Sequence, residues 1–437
     1  MTDRPHLEAT KYLRRDFVRN GLLIAAIAPN LRAWLAGLPQ SGSEKSPENQ
    51  QTSDFTGPEA NPNWNCVGSL VTQPEKSPLI LLMDRPVQLE TPRHYFLTPF
   101  TPNEAFYVRW HLETLPNSVD LKQWRLSVEG NVEKPLMLSL SDLFTRFKAV
   151  SIAAVNQCSG NSRSRFQPRV PGGQWGNGAM GNALWTGVKL RDVLDTAKLK
   201  PGTVQVQFEG MDRGKGPEGF GSNRFQKSLY LNNPAINEAI LAFAMNDKPL
   251  PMLNGFPLRL VVPGYFATYW LKSLISIRAL DKVDENFWMK TAYRIPDTPR
   301  GTTTPDEMKM GKIQTVPIGK MPVRSFLISP DGSSKIPAGF PLVLRGIAYS
   351  GFGSVKKVEV SDDGLSWHDA RLGEDLGQYS FRTWQFAWNP KEPKTYLLAV
   401  RATDDKGNVQ PDEGVWNPGG YLWNKIERQE IVVGEAY

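Results

Sequence analysis

The texture of this 437-residue chain changes once along its length, and that change limits what it can fold into. From about residue 84 to residue 300, short apolar runs, Gly/Pro punctuation and a few helical stretches mix without a fixed period. Residues 301–320 are polar and rich in turn formers, as a domain connection would be. Beyond them come strand-like runs at 342–349, 355–361, 379–388 and 396–403, broken by Gly, Asp and Pro, with Asp362-Asp363-Gly364 reading as a hairpin before Trp367. Regular short strands without helices predict a β-sandwich of immunoglobulin type. With 40% hydrophobic residues the chain has material for more than one core.

In the first part, 124–129 and 204–208 alternate like strands, and 258–262, stopped by Pro263-Gly264, reads as a buried strand. Residues 141–147, 190–194 and 237–244 read as helices, with Ser141-Asp142 capping the first. This is α+β character without the βαβ period of a doubly wound sheet. No Gly-x4-Gly-Lys loop occurs, so a nucleotide-phosphate site has no support.

Near the start, Arg14-Arg15 is followed by Asp16-Phe17-Val18-Arg19 and an apolar run over 22–28. The Arg-Arg-x-Phe spacing before a short apolar core resembles a twin-arginine export signal, with Leu13 where Ser or Thr is usual. A bilayer span takes about 20 apolar residues, so this run predicts no stable membrane span. We expect an export signal over 1–40, an N-terminal arm over 41–84, domains over 85–310 and 311–437, and a periplasmic location. The net charge of +7 includes six Lys/Arg against three Asp/Glu in residues 1–40, leaving 45 against 41. No dense basic run interleaved with aromatics follows, and nucleic-acid binding is not expected.

The two cysteines, Cys66 and Cys158, cannot supply a four-thiolate site or a C-x-x-C-H haem attachment. A lone cysteine is usually a small buried hydrophobe, and Cys66, in the variable arm, keeps that reading. Cys158 differs. It ends the apolar run 150–155 and enters the polar loop Ser159-Gly160-Asn161-Ser162-Arg163. Positive charge nearby, from Arg163 and Arg165, favours the thiolate that a soft metal binds.

Cys158-Ser159-Gly160-Asn161, continued by Trp175-Gly176-Asn177-Gly178-Ala179-Met180-Gly181-Asn182 and Trp185-x-Gly187-Val188, resembles the cysteine segment of the sulfite oxidase family. Three further segments resemble that family in the same order. They are Phe106-Tyr107-Val108-Arg109-Trp110-His111; Asn254-Gly255-Phe256-Pro257-Leu258-Arg259 running on to Trp270-Leu271-Lys272; and Phe287-Trp288-Met289-Lys290-Thr291-Ala292-Tyr293. The resemblance covers about residues 85 to 435. Haem-free periplasmic bacterial sulfite dehydrogenases look most similar.

The resemblance implies a molybdopterin-binding catalytic domain over 85–310 and an immunoglobulin-like dimerisation domain over 311–437, hence a homodimer. It implies that Cys158 ligates molybdenum beside a pyranopterin and that Arg259 and Lys272 hold the pterin phosphate. Asp212 and Asn254 would hydrogen-bond the pterin, with Tyr107, Val108, Trp110, His111, Trp270 and Leu271 as further cofactor contacts. Arg109, which also stands in the cofactor segment, and Arg163 would clamp sulfite, Tyr293 would donate a hydrogen bond at the metal, and Trp175 would wall the pocket. Taken singly, each of these is an ordinary core or surface residue; their ordered recurrence around Cys158 is what carries the reading. Relatives commonly place another anion-binding arginine after a Trp-Asn pair, where this chain has Gly419, so Lys425, Arg428 or Arg382 would have to replace it. The expected activity is oxidation of sulfite to sulfate, with electrons passed to an external c-type cytochrome. The alternatives are a sulfoxide reductase of the same fold and a cofactor-free secreted binding protein.

Overall fold

The computed structural model describes residues 70–435 apart from 72, 216–222, 312 and 333–335. The export signal and Cys66 lie outside the described residues.

The longest element of the first part is a hairpin. The strand Ala149–Gln157 pairs with Met180–Lys189 from Ala149↔Val188 to Gln157↔Met180 without a slip. The Cys158 N–H donates to Ala179 O at 2.9 Å, which carries the ladder one rung further. Cys158 therefore leaves the sheet at a fixed point. Ile240–Met245 pairs with the outer side of Met180–Lys189, and Arg259–Val261 and Lys248–Pro249 pair with Ile240–Met245 in turn.

Ile240–Met245 corrects an expectation. Residues 237–244 read as a helix, yet the helix is only Ala235–Glu238 and a strand follows. All six residues of that strand are buried. A run covered on both faces shows no polar beat, so periodicity cannot separate strand from helix there.

A second sheet runs in the order Arg224–Tyr230, Gln205–Arg213, Leu274–Leu280, Leu126–Gly130, Leu136–Leu138. Leu274–Leu280 and Leu126–Gly130 are parallel, and the other neighbours are antiparallel. The helix Leu190–Ala197 buries Leu190, Val193, Leu194 and Ala197, the i, i+3, i+4, i+7 stripe that packs a helix on a core. The helix Leu140–Arg146 is capped by Ser139 in a reciprocal box with Asp142, two residues before the expected Ser141. Gly176-x-Gly178-x-x-Gly181 has the spacing of a dinucleotide turn, but it runs into the strand Met180–Lys189 instead of a helix. No helix N-terminus stands there to receive a pyrophosphate.

The C-terminal part is a sandwich. One sheet is Arg324–Ser329, Leu342–Tyr349, Arg382–Trp388, Arg371–Leu372; the other is Ile336–Pro337, Glu427–Gly434, Thr395–Asp404, Val355–Ser361, His368–Asp369. Leu344, Val358, Trp384, Leu398 and Ile431 fill the space between them. The expected hairpin forms: Asp363 Oδ1 accepts the N–H groups of Leu365 and Ser366, and Gly364 takes φ 76°. The sandwich is not a separate bead. Phe326, Ile328, Ile347, Tyr349 and Phe381 belong to the core of the first part, and Val155 N–H donates to Tyr379 O at 2.8 Å. The architecture is thus α+β followed by an immunoglobulin-like sandwich. No helix among the described residues is long and apolar enough to cross a membrane.

Candidate active site

After Cys158 the chain turns sharply. Asn161 N–H returns to Cys158 O, Ser162 takes the left-handed φ of 66°, and Asn161 Oδ1 accepts from Ala179 N–H at 3.0 Å. A Cβ on Gly160 would lie 2.3 Å from the Arg163 guanidinium, so the turn and that arginine pack only around glycine. The sandwich grips the same turn: Arg324 donates to Ser162 Oγ at 2.8 Å and to Asn177 Oδ1 at 2.9 Å.

Cys158 faces a cavity that encloses about 410 Å³, counted out to solvent. Its lining includes Tyr107, Arg109, His111, Asn156, Ser159, Asn254, Arg259, Thr268, Lys272 and Tyr293. Segments from three distant parts of the sequence converge here. The strand Val108–Arg109 brings Arg109, the turn Met252–Asn254 brings Asn254, Arg259–Val261 brings Arg259, and Tyr293 follows the helix Phe287–Lys290.

Charge in this cavity is one-sided. Among the described residues Arg109, Arg259 and Lys272 have no carboxylate within 4 Å. Arg259 spends its guanidinium on the carbonyls of Asn254 and Trp270 and lies 4.8 Å above the Trp185 ring. Burial brings its pKa down to about 10. Lys272 donates to Arg109 O at 2.7 Å and sits 4.6 Å above the Trp110 ring; burial, and next Arg259, push its pKa down. Burial acts against the charge of Arg109 too, but Tyr293 and Cys158 outweigh it and the net shift is upward. Asp212 is buried behind Lys272, and burial raises its pKa against the pull of that lysine. Cations held out of water with no carboxylate in direct contact mark a place for an anion.

His111 Nε2 and Tyr293 Oη are 2.6 Å apart, and the imidazole stacks on Phe225 at 3.7 Å. Burial, then Arg109, Lys272 and Lys227, lower the His111 pKa well below its ordinary value. Burial raises that of Tyr293.

Several predicted residues stand behind the cavity instead of on it. Val108 and Trp110 pack with Leu79, Val87 and Leu89. Trp270 packs on Trp185, and Leu271 lends its carbonyl to Leu260 N–H. Trp175 meets the Tyr107 ring edge-on at 6.4 Å. Arg163 is tied to Gly419 O by two nitrogens, at 2.9 and 3.1 Å, and to Gly173 O at 3.1 Å, with its guanidinium 5.5 Å from the Tyr421 ring. The proposed replacements for the missing arginine do not reach the cavity. Arg428 pairs with Asp412, Arg382 with Asp375 and the Gly373 carbonyl, and Lys425 is not in the lining.

Sequence reasoning missed other groups. Asn156 Nδ2, Ser159 Oγ and Thr268 Oγ1 are buried without a hydrogen-bond partner and their residues line the cavity, where Nε of the expected Arg259 is unpartnered too. Asn156 and Ser159 lie within two residues of Cys158, so proximity was a usable signal; Thr268 lies between Arg259 and Trp270, in a stretch with no such signal. Tyr421, from the sandwich, stacks on Tyr293 at 5.7 Å. Orphaned donors beside uncompensated cations and one thiol fit a polar, anionic ligand with a soft metal end. A molybdenum–pterin phosphate has that chemistry, and the residues present fit it.

This fold and donor set define a class of oxidoreductase that carries a pterin-bound metal. Residues 111–288 match the oxidoreductase molybdopterin binding domain, and residues 315–433 match the Mo-co oxidoreductase dimerisation domain. Sulfite oxidase of Gallus gallus is 34% identical over 77% of this chain and 74% of its own length. Mitochondrial sulfite oxidase of Rattus norvegicus is 33% identical over 80% of this chain, which spans 64% of that relative's length. The structure of the sulfane dehydrogenase SoxCD from Paracoccus pantotrophus covers 89% of this chain at TM-score 0.69 and 24% identity, a likeness of fold. The chain belongs to the sulfite oxidase family of molybdopterin oxidoreductases.

Proposed function

We propose that this chain is an exported, molybdenum-dependent sulfite dehydrogenase that works as a homodimer and passes electrons to a separate c-type cytochrome. The observation that carries the reading is Cys158 facing a cavity of buried cations that have no carboxylate in direct contact. Cys158 Sγ would ligate the metal, and Arg259 and Lys272 would hold the pterin phosphate, since a dianion out of bulk water needs fixed cations. Bound there, the cofactor supplies two-electron oxygen-atom exchange at molybdenum. The overall reaction takes sulfite and water to sulfate, two protons and two electrons.

The chain's own residues set the substrate's place. Arg109 draws an oxyanion into the cavity mouth and keeps its charge there. Tyr293, aimed by His111, would hold a proton on Oη where it can hydrogen-bond an oxygen of the ligand. Phe225 packs on His111 and Tyr421 on Tyr293, and this cover lowers the local dielectric and strengthens both interactions. The sequence has no C-x-x-C-H, so an external cytochrome is the proposed acceptor. The Arg14-Arg15 leader supports export to the periplasm. Similarity of residues 315–433 to a dimerisation domain supports the homodimer.

A second reading has one observation in its favour. Arg163 is occupied by Gly419 and Gly173, so Arg109 alone is left to clamp an oxyanion. A neutral sulfoxide, reduced at the same site, would need less. The deciding experiment is molybdenum and pterin analysis of purified wild type beside Cys158→Ser, with sulfite:ferricyanide and dye:sulfoxide turnover on both. About one molybdenum per chain, with sulfite oxidation abolished by Cys158→Ser, is expected. Wild type without molybdenum, or turning over the sulfoxide alone, overturns the proposal.

A further inference from the structure

Lys76 belongs to the short segment that precedes the strand Leu79–Met83, and nothing in the sequence marks it. Its side chain runs inward and is 6% exposed. The ammonium donates to Asn103 O at 2.7 Å, to Phe106 O at 3.1 Å and to Asn254 Oδ1. Three donors and three acceptors satisfy it as a hydrogen-bonding group. They leave its charge unpaired, because no carboxylate lies within 4 Å among the described residues. Burial, opposed by Glu75 and Glu104, lowers its pKa to about 7.

These acceptors come from both walls of the cavity. Asn103 and Phe106 belong to the chain leading into Tyr107 and Arg109, while Asn254 belongs to the turn that precedes Arg259. In its ammonium form Lys76 only donates, and that form dictates which end of the Asn254 amide faces it. With Oδ1 turned to Lys76, Nδ2 donates to Tyr107 O at 3.1 Å, and Asn254 O accepts from Arg259 at 2.9 Å. Lys76 thus links the chain beside Tyr107 to the turn whose carbonyl holds Arg259.

We infer that Lys76 is a positioning residue for the anionic end of the cofactor pocket, acting through Asn254 by fixing its amide and by joining the Tyr107 and Arg259 walls. This rests on the molybdopterin assignment, but not on sulfite as the substrate. A lysine that served only to cement the fold could have bonded any buried carbonyls; this one bonds a cavity-lining amide beside an unpaired arginine.

The test is a double-mutant cycle of Lys76→Met and Asn254→Ala, read as pterin and molybdenum retained per chain during timed gel filtration. Near-ultraviolet circular dichroism monitors the fold. The expected result is about tenfold faster pterin loss in Lys76→Met, with no further acceleration when it is added to Asn254→Ala. Retention equal to wild type, or two effects that multiply, overturns the inference. Should Lys76→Met prove insoluble, Lys76→Ala, which likewise removes the donor to Asn254, replaces it in the same cycle and is held to the same two results. Since pterin retention is read without substrate, failure here is distinguishable from failure of the sulfite assignment; wild type that never contains pterin sinks both.

Discussion

His111 Nε2 and the Tyr293 hydroxyl share a 2.6 Å hydrogen bond at the cavity wall, and burial keeps both groups uncharged at neutral pH. A neutral imidazole can orient the phenol without adding charge beside Arg109. Tyr293 is also held at φ 55°, a left-handed conformation that a bulky residue adopts at a cost. The chain thus accepts strain to bring this hydroxyl to the cavity. Tyr293→Phe leaves the ring to stack on Tyr421 and removes the donor alone. Sulfite turnover should fall about 100-fold, the usual loss for one oriented donor, with molybdenum content unchanged. Steady-state kinetics with ferricyanide decides it; an unaltered kcat would remove Tyr293 from the mechanism.

The same pair makes a prediction about stability. His111 has its folded pKa depressed well below the unfolded value of about 6.5. Below pH 6.5 the unfolded chain binds a proton that the native chain refuses, so stability is lost as pH falls through that range. The limit is about 1.4 kcal/mol per pH unit for one group. In cofactor-free protein, His111→Gln should flatten the fall of Tm between pH 6.5 and 5 relative to wild type. Parallel Tm curves for the two proteins would show that His111 is not the group responsible.

What the sequence disclosed, and what it hid, divides along physical lines. The helix Leu190–Ala197 was legible because its buried stripe recurs at helical spacing, and the strands 342–349 and 355–361 because Gly and Asp bracket them. Ile240–Met245 was not, since burial on both faces erases the period. Cys158 could be picked out by its passage from an apolar run to a polar loop. Lys76 could not, for a lysine in a polar stretch looks solvated until the fold carries it inward. Arg163 misled for a related reason: proximity to Cys158 in sequence said nothing of Gly419, 256 residues away, which takes its guanidinium.

Glu427, from the sandwich, is buried in a nest of arginines. It lies 2.5 Å from Arg165 and 3.5 Å from Arg93, accepts from Asn177 at 2.7 Å, and feels the charge of Arg324. Burial would raise its pKa, but the arginines prevail and hold it low. Glu427→Gln would strand buried cations, at a cost of about 3–5 kcal/mol. Because Arg324 also grips Ser162, the damage should spread to the cysteine turn. Urea denaturation is expected to register the lost stability, and hydrogen exchange at the Asn161 and Arg163 amides should accelerate beyond the global change. Exchange that follows global stability alone would deny the sandwich any hold on the turn.

Arg109 and Arg163 look interchangeable in sequence but are held differently, and this separates their mutants. Arg109 lines the cavity and bonds the Trp110 carbonyl, so part of its fork is open to a ligand. Arg163 has three of its hydrogen bonds taken by the carbonyls of Gly419 and Gly173, and a Cβ on Gly420 would lie 2.8 Å from it. Arg109→Gln should therefore raise KM for sulfite about tenfold or more, through loss of a charge-assisted bond worth about 1.5–3 kcal/mol, while Tm hardly moves. Arg163→Gln should do the reverse, lowering Tm by several degrees as the 417–421 turn loses its anchor. Substrate binding would then suffer indirectly, because Tyr421 packs on Tyr293. A KM effect of equal size in both variants, with Tm unchanged in Arg163→Gln, would mean that Arg163 leaves its carbonyls for the substrate and that the oxyanion clamp has two jaws.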